Sequence, residues 1–82
     1  MFLKDLSHIP EKYRGTIEEL VFHEIPESES LFGLHDIRKI KGTSDRYRIR
    51  VGRYRIGCSL RLDGSVVFFR VKSREEIYSV FP

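Results

Sequence analysis

Apolar and basic residues alternate along residues 46–62, which read RYRIRVGRYRIGCSLRL. Successive side chains of a pleated strand point to opposite faces, so this alternation predicts two strands that each have one apolar and one basic face. The apolar set is Tyr47, Ile49, Val51, Tyr54, Ile56, Cys58, Leu60 and Leu62. The basic set is Arg46, Arg48, Arg50, Arg53, Arg55 and Arg61. We predict that the strands connect near Gly52 and that their basic face meets an anionic partner.

The N-terminal part of the chain shows a helical spacing of apolar residues instead. Its first group is Phe2, Leu3, Leu6 and Ile9, which predicts a short amphipathic helix that ends before Pro10. A second group, Tyr13, Ile17, Leu20 and Val21, forms one stripe of a helix whose first turn can contain that proline. Two antiparallel helices joined by a tight turn are therefore expected.

The middle of the chain is less regular. Residues 25–30 (IPESES) have the composition of a surface loop. Residues 31–42 (LFGLHDIRKIKG) place Leu34, Ile37 and Ile40 at a helical spacing, although Gly33 weakens the pattern. We predict a short helix or a turn-rich connector there.

Asp63-Gly64 is a strong hairpin signal, and it leads into SVVFFRVKS, which predicts a third strand. The last residues, REEIYSVFP, are too few for a large helix. The expected fold class is α+β: a single domain of residues 1–82 in which two helices cover the apolar face of a three-stranded antiparallel meander.

The distribution of charged residues indicates which part of the chain binds a partner. The 82 residues carry a net charge of +3, with 15 Lys and Arg against 12 Asp and Glu. The acidic residues are concentrated in the first 36 positions, and the basic ones in residues 38–74. The second half is thus the part expected to bind a polyanion. Cys58 is the single cysteine, so we expect a small core residue, no internal disulfide and a cytoplasmic protein. No stretch of the sequence predicts a membrane span or a secretory signal.

Beyond these patterns, the segment KIKGTSDRYRIRVGRYRIGCSL, followed by a hairpin, an apolar strand, an arginine and Tyr78, resembles the RelE/ParE superfamily of toxins from bacterial toxin–antitoxin pairs. The similarity extends from about Leu3 to Tyr78, and the YRIRVGRYRI block is its specific part. Family members usually begin with a strand ahead of the first helix, which this sequence does not show. Many also have glycine–histidine–arginine where this chain has residues 71–74 (VKSR), so a histidine base is not expected at that place.

The resemblance implies a chemistry for the arginine face. The RelE branch cuts messenger RNA in the ribosomal A site without a metal or other cofactor, using the ribose 2′-hydroxyl as nucleophile. The implied catalytic residues are Arg48, Arg50, Arg55, Arg74 and Tyr78, with Arg46, Arg53, Arg61 and Lys72 as further RNA contacts. Whether Lys72 or Arg74 supplies the last catalytic cation stays open at this point. An unperturbed arginine is a poor base at neutral pH, so the general base is unassigned and the arginines receive an electrostatic role.

Other interpretations are open from the sequence. A ParE-like toxin would poison DNA gyrase without chemistry of its own, and an inactive relative would do neither. Arginines on the solvent side of a half-buried sheet are also ordinary, and a tyrosine such as Tyr78 is often a packing residue. His8, His23 and His35 do not have the spacing of a zinc motif. Under each toxin interpretation the expected partner is a cognate antitoxin. The RNA-cleaving interpretation adds the ribosome and messenger RNA as partners. No membrane and no metal is expected to take part.

Overall fold

The computed structural model describes residues 1–25 and 37–81. Helix α1 comprises Phe2–Ser7 and helix α2 comprises Glu11–Glu19, which continues into a π-helical turn, Leu20–Glu24. Pro10 precedes α2, where its missing N–H group is not needed, and this explains the break between the two helices. The predicted pair of N-terminal helices is confirmed.

Four strands form one antiparallel sheet in the described part of the chain. They are β1 (Ile37–Lys39), β2 (Arg46–Val51), β3 (Tyr54–Leu60) and β4 (Val66–Ser73), in the order β1-β2-β3-β4. A last helix, α3, comprises Arg74–Val80. Gly52 and Gly64 have positive φ angles of 59° and 90° in the turns after β2 and β3, which a residue with a side chain rarely adopts. Both predicted turns are confirmed.

The α+β class is confirmed, but the structure predicted for residues 37–39 and the number of strands were wrong. Ile37–Lys39 is a strand rather than a helix or connector, so the meander has four strands. Three residues are too few to show an alternation, and Ile37 and Ile40 happen to lie at a helical spacing. The rest of the predicted connector, residues 31–36, and most of the predicted loop, residues 26–30, lie outside the described residues.

The main core lies between the N-terminal helices and one face of the sheet. It contains the predicted helical residues Phe2, Leu6, Ile9, Ile17, Leu20 and Val21 and the strand residues Tyr47, Ile49, Ile56, Cys58 and Val71. Tyr54 packs against this core and meets the ring of Tyr13 edge-on at a centroid distance of 5.2 Å. Leu3 and Leu62 were predicted on the apolar side, but both are exposed. Leu62 lies beyond the end of β3, in the hairpin, and Leu3 lies outside the buried face of α1 that contains Phe2 and Leu6.

A second apolar cluster occupies part of the opposite face, which was predicted to be basic throughout. Ile40, Ile77 and Phe81 are buried there, and Phe69 packs against them. Phe69 reaches this face because the pairing of β3 and β4 shifts register between Gly57 and Cys58. Helix α3 therefore covers one portion of this face, and the remaining portion is left for the arginines.

Asp5 connects α1 to β4. Its carboxylate is 5% exposed and accepts hydrogen bonds from Arg70 Nε at 2.6 Å, Arg70 Nη2 at 3.1 Å and the Val71 N–H at 3.3 Å. Lys72 Nζ lies 3.4 Å from the same group. Burial disfavours the charged carboxylate, but these hydrogen bonds and positive charges outweigh it, so the pKa of Asp5 is lowered.

Cys58 is fully buried, as predicted for a small core residue, and burial raises the pKa of its thiol to about 12. Since the thiolate is the reactive form, we expect the folded protein to show no fast reaction with a thiol-specific disulfide reagent at pH 8. The same reagent should titrate one thiol per chain in urea. Rapid labelling of the folded protein would contradict this placement of Cys58.

Candidate functional site

A groove of about 490 Å³ lies on the part of the sheet that α3 leaves uncovered. Five arginines and one tyrosine line it: Arg38, Arg48, Arg50, Arg55, Arg74 and Tyr78. The set includes every residue that the resemblance implied to be catalytic, and it adds Arg38. Four of these residues come from neighbouring strands and two from α3, so the groove depends on the packing of that helix against the sheet.

The strand register places like charges side by side in this groove. Arg38 on β1 is directly opposite Arg48 on β2, and Arg50 on β2 is directly opposite Arg55 on β3. Like charges at directly opposed positions are unfavourable in a sheet. A bound polyanion would offset this repulsion, and phosphate groups suit the planar guanidinium because it can donate two parallel hydrogen bonds.

Arg55 is fixed by the backbone around it. Its Nη1 donates to the carbonyl oxygens of Gly52 and Tyr54, both at 3.0 Å. These bonds fix the guanidinium beside the turn between β2 and β3 before any ligand arrives. A donor that is held in place in advance stabilises developing negative charge more effectively than one that must reorganise.

Tyr78 lies beside Arg48 rather than in a core. Its side chain is 62% exposed, and the guanidinium carbon of Arg48 lies 4.4 Å from the centre of its ring. Arg48 Nε is buried and has no hydrogen-bond acceptor among the described residues. This contact is a cation–π interaction that orders both side chains. The packing role that competed for Tyr78 in the sequence thus does not describe its surroundings.

The start of α3 is well defined. Ser73 caps it: the hydroxyl accepts from the Glu76 N–H at 3.3 Å and donates to Oε1 of Glu76 at 2.9 Å. This cap gives the N–H of the third helical residue an acceptor, and the bond between the two side chains orders the first turn. The N–H of Arg74 donates to the carbonyl of Arg53 at 3.0 Å, which connects the first residue of the helix to the turn between β2 and β3.

The residues expected to make further RNA contacts are dispersed around the molecule. Lys72 is bound to Asp5, and Arg46 lies over the rings of Phe69 and Phe81, with its guanidinium carbon 4.7 and 5.7 Å from their centres. Arg53 is exposed in the turn after β2, and Arg61 is exposed in the hairpin after β3. None of these four residues lines the groove. Arg74 does line it, so its position favours it over Lys72 as the last cation.

Sequence reasoning missed Arg38 because it missed strand β1. The signal available was the basic pair in residues 37–40 (IRKI), which only becomes meaningful once the segment is paired with β2. His8 and His23 are exposed on the helical side, and His35 lies outside the described residues. Among residues 1–25 and 37–81, no cluster of His, Cys, Asp and Glu is suited to hold a metal ion. No helix in that part of the chain is long and apolar enough to cross a membrane.

Comparison with known proteins decides the family. A family model described as "ParE toxin of type II toxin-antitoxin system, parDE" matches residues 2–78 of the chain. The chain belongs to the RelE/ParE toxins. The resemblance noted in the YRIRVGRYRI block is therefore confirmed, and this protein is a toxin of a type II toxin–antitoxin system.

Two relatives and one solved structure agree with this assignment. The toxin is 48% identical to Toxin RelE3 of Methanocaldococcus jannaschii over 82 residues, which is 99% of this chain and 91% of the relative. It is 32% identical to Putative toxin RelE1 of the same archaeon, over 90% of this chain and 81% of the relative. A chain in the crystal structure of the RelB-RelE antitoxin-toxin complex from Methanococcus jannaschii matches it with a TM-score of 0.82 and 46% identity, covering 99% of this toxin and 93% of that chain.

Proposed function

We propose that this toxin is a ribosome-dependent endoribonuclease that cuts messenger RNA at the arginine groove. The observation that carries the proposal is the convergence of Arg48, Arg50, Arg55, Arg74 and Tyr78 on one surface. A concentration of guanidinium groups beside an exposed aromatic ring suits a phosphate and an unstacked base of single-stranded RNA. The RelE names of the two archaeal relatives also support it.

The proposed reaction is an internal phosphoryl transfer. The ribose 2′-oxygen forms a bond to the adjacent phosphorus, and the bond from phosphorus to the 5′-oxygen breaks. The 2′-hydroxyl gives up a proton and the leaving 5′-oxygen gains one, so the products are a cyclic phosphate and a 5′-hydroxyl. Negative charge accumulates on the phosphoryl oxygens in the transition state, where the fixed guanidinium of Arg55 would stabilise it.

No general base is assigned in this proposal. The described groove lining contains no carboxylate and no histidine, and arginine side chains stay protonated at neutral pH. Tyr78 is the one residue of the described lining that is not a cation. We propose that its ring stacks on a base or that its hydroxyl relays a proton, while the arginines act electrostatically.

A second candidate function is supported by the family match itself. The matching family model is described as a ParE toxin. The resemblance implies that toxins of this branch inhibit DNA gyrase without cutting RNA. The basic groove would then bind a protein surface or DNA. Members of that branch tend to lack the full cationic set, so the five arginines of this groove favour the RNA-cleaving function.

We also propose a cognate antitoxin as partner and the cytoplasm as the place of action. The structural relative was crystallised as a RelB-RelE antitoxin-toxin complex, which supports the first point. Acidic side chains of an antitoxin would neutralise the arginine groove and block access to it. Ribosomes and messenger RNA are cytoplasmic, which supports the second point.

The decisive experiment is messenger cleavage in a purified translation system, mapped by primer extension, with and without ribosomes. We expect cuts that require the ribosome. A parallel supercoiling assay with purified gyrase tests the alternative in a ribosome-free mixture. Gyrase inhibition without RNA cleavage would replace the proposed function by the ParE-like one, and inactivity in both assays with a folded protein would indicate an inactive relative.

A further inference from the structure

Gly57 on β3 lies directly beneath the ring of Phe81. A Cβ atom added to Gly57 would lie 2.5 Å from Cδ2 and from Cγ of that ring and 2.9 Å from Cδ1. These distances are far below an ordinary contact, and Cγ can move away only if the whole buried ring rotates about the Cα–Cβ bond of Phe81 or the backbone shifts. The phenylalanine ring can occupy its position only because residue 57 has no side chain.

Phe81 anchors the C-terminal end of α3. It is 3% exposed, and its N–H donates to the carbonyl of Ile77 at 2.9 Å. Its ring lies 5.8 Å from that of Phe69, and the guanidinium of Arg46 covers both rings. Ile77, which is fully buried in the same cluster, directly precedes Tyr78. Phe81 and Ile77 therefore anchor the helix that carries Tyr78.

We propose that Gly57, Phe81 and Arg46 form a positioning device for the groove. The device fixes α3 so that Tyr78 stacks on Arg48 and Arg74 faces the arginines of β2 and β3. Arg46 then acts through the two phenylalanine rings and is a positioning residue rather than a contact to RNA. This inference rests on the proposed function for its catalytic consequence, while its structural part stands independently.

The first test substitutes each of the two residues in contact, Gly57 and Phe81. Gly57→Ala displaces the ring of Phe81, and Phe81→Ala removes the ring while leaving the sheet unaltered. Because a shift of about 1 Å in a reacting group can lower a rate by about a hundredfold, we expect kcat for RNA cleavage to fall by about that factor in both variants, with KM nearly unchanged. Gly15→Ala on α2 is the matched control, because its added Cβ meets no heavy atom within 4 Å.

A structural readout accompanies the kinetics. The Nε–H signal of Arg48 in a ¹⁵N-labelled sample should carry a ring-current shift from Tyr78. We expect Gly57→Ala and Phe81→Ala to lose this shift while the signals of the main core stay dispersed, and Gly15→Ala to retain it. If the shift persists in both device variants, or if it is lost and kcat does not change, the proposed positioning is wrong.

Arg46 is tested by a pair of substitutions with opposite expectations. Arg46→Met removes the charge but keeps a polarisable side chain that packs on aromatic rings. Arg46→Lys keeps the charge but loses the planar group that stacks. A positioning role requires a higher kcat in Arg46→Met than in Arg46→Lys. The reverse order, with a raised KM in Arg46→Met, would show a direct contact to RNA instead.

The two proposals fail in different ways. Absence of cleavage by the unaltered toxin would refute the proposed function alone. Loss of the Arg48 ring-current shift in both device variants would still support the positioning of Tyr78 by Gly57 and Phe81. Cleavage that is normal in both device variants would refute the positioning role and leave the proposed function intact.

Discussion

Arg55→Ala is expected to slow ribosome-dependent RNA cleavage by about a hundred- to a thousandfold, mostly through kcat. The guanidinium of Arg55 is already fixed in the groove, by the carbonyls of Gly52 and Tyr54, before substrate binds. Removing a fixed donor from the transition state affects the chemical step more than binding. Single-turnover cleavage of messenger RNA on purified ribosomes would measure the loss.

Lys41→Ala serves as the control for that substitution. Lys41 is an exposed cation in the turn after β1, and it does not line the groove. Loss of a charge there should change the cleavage rate by less than about twofold, as screened surface charges do. An equal loss in both variants would mean that net charge, rather than the groove, accounts for the activity.

Asp5→Asn is expected to lower the free energy of unfolding by about 2 kcal/mol. The substitution keeps the shape of the side chain but leaves the positive charges of Arg70 and Lys72 without their counter-charge. Loss of one partner from a fully buried ion pair costs more, but Arg70 and Lys72 are 18% and 26% exposed, which reduces the penalty. Urea unfolding followed by circular dichroism measures the change.

The pH dependence of stability provides an independent check on Asp5. Its pKa is lowered in the folded state, so its contribution is complete above the unfolded value of about 3.9 and is lost as the pH falls through the folded value. The Asn variant should therefore lose less stability than the unaltered toxin between pH 5 and pH 2. Asp45→Asn, at an exposed carboxylate 3.8 Å from Arg46, should change stability by less than about 0.5 kcal/mol. Equal effects of the two substitutions would refute the role given to Asp5.

Long alternating or periodic segments allowed most of the fold to be predicted. Strands β2 and β3 alternate over six and seven residues, and both of their faces were predicted correctly near the centre. Strand β1 has three residues, which is too short for a period to be visible. Helix α3 was missed because its seven residues are stabilised by the Ser73 cap and by Ile77 and Phe81, which pack against distant parts of the chain.

The site residues, too, could be predicted where they lie on a long alternating strand, and not where their position depends on distant parts of the chain. Arg48, Arg50 and Arg55 follow from strand parity, and the resemblance added Arg74 and Tyr78. Strand parity also assigned Arg46, Arg53 and Arg61 to the RNA-binding face. Parity cannot show that α3 covers one portion of that face or that the strands end in turns. Asp5 was missed altogether, since its partners Arg70 and Lys72 are 65 and more residues away in the sequence.

The bond from the Val71 N–H to Asp5 has a consequence for the behaviour of the toxin in concentrated solution. Strand β4 lies at one edge of the sheet formed by the described strands, and an edge amide is a site where a second polypeptide can pair. The carboxylate of α1 occupies that amide, so the sheet can grow at this point only if the helix moves away. Loss of this bond would weaken the attachment of α1 to β4, and each time the helix moved away, the edge beside Phe68 would become available for pairing with a second chain.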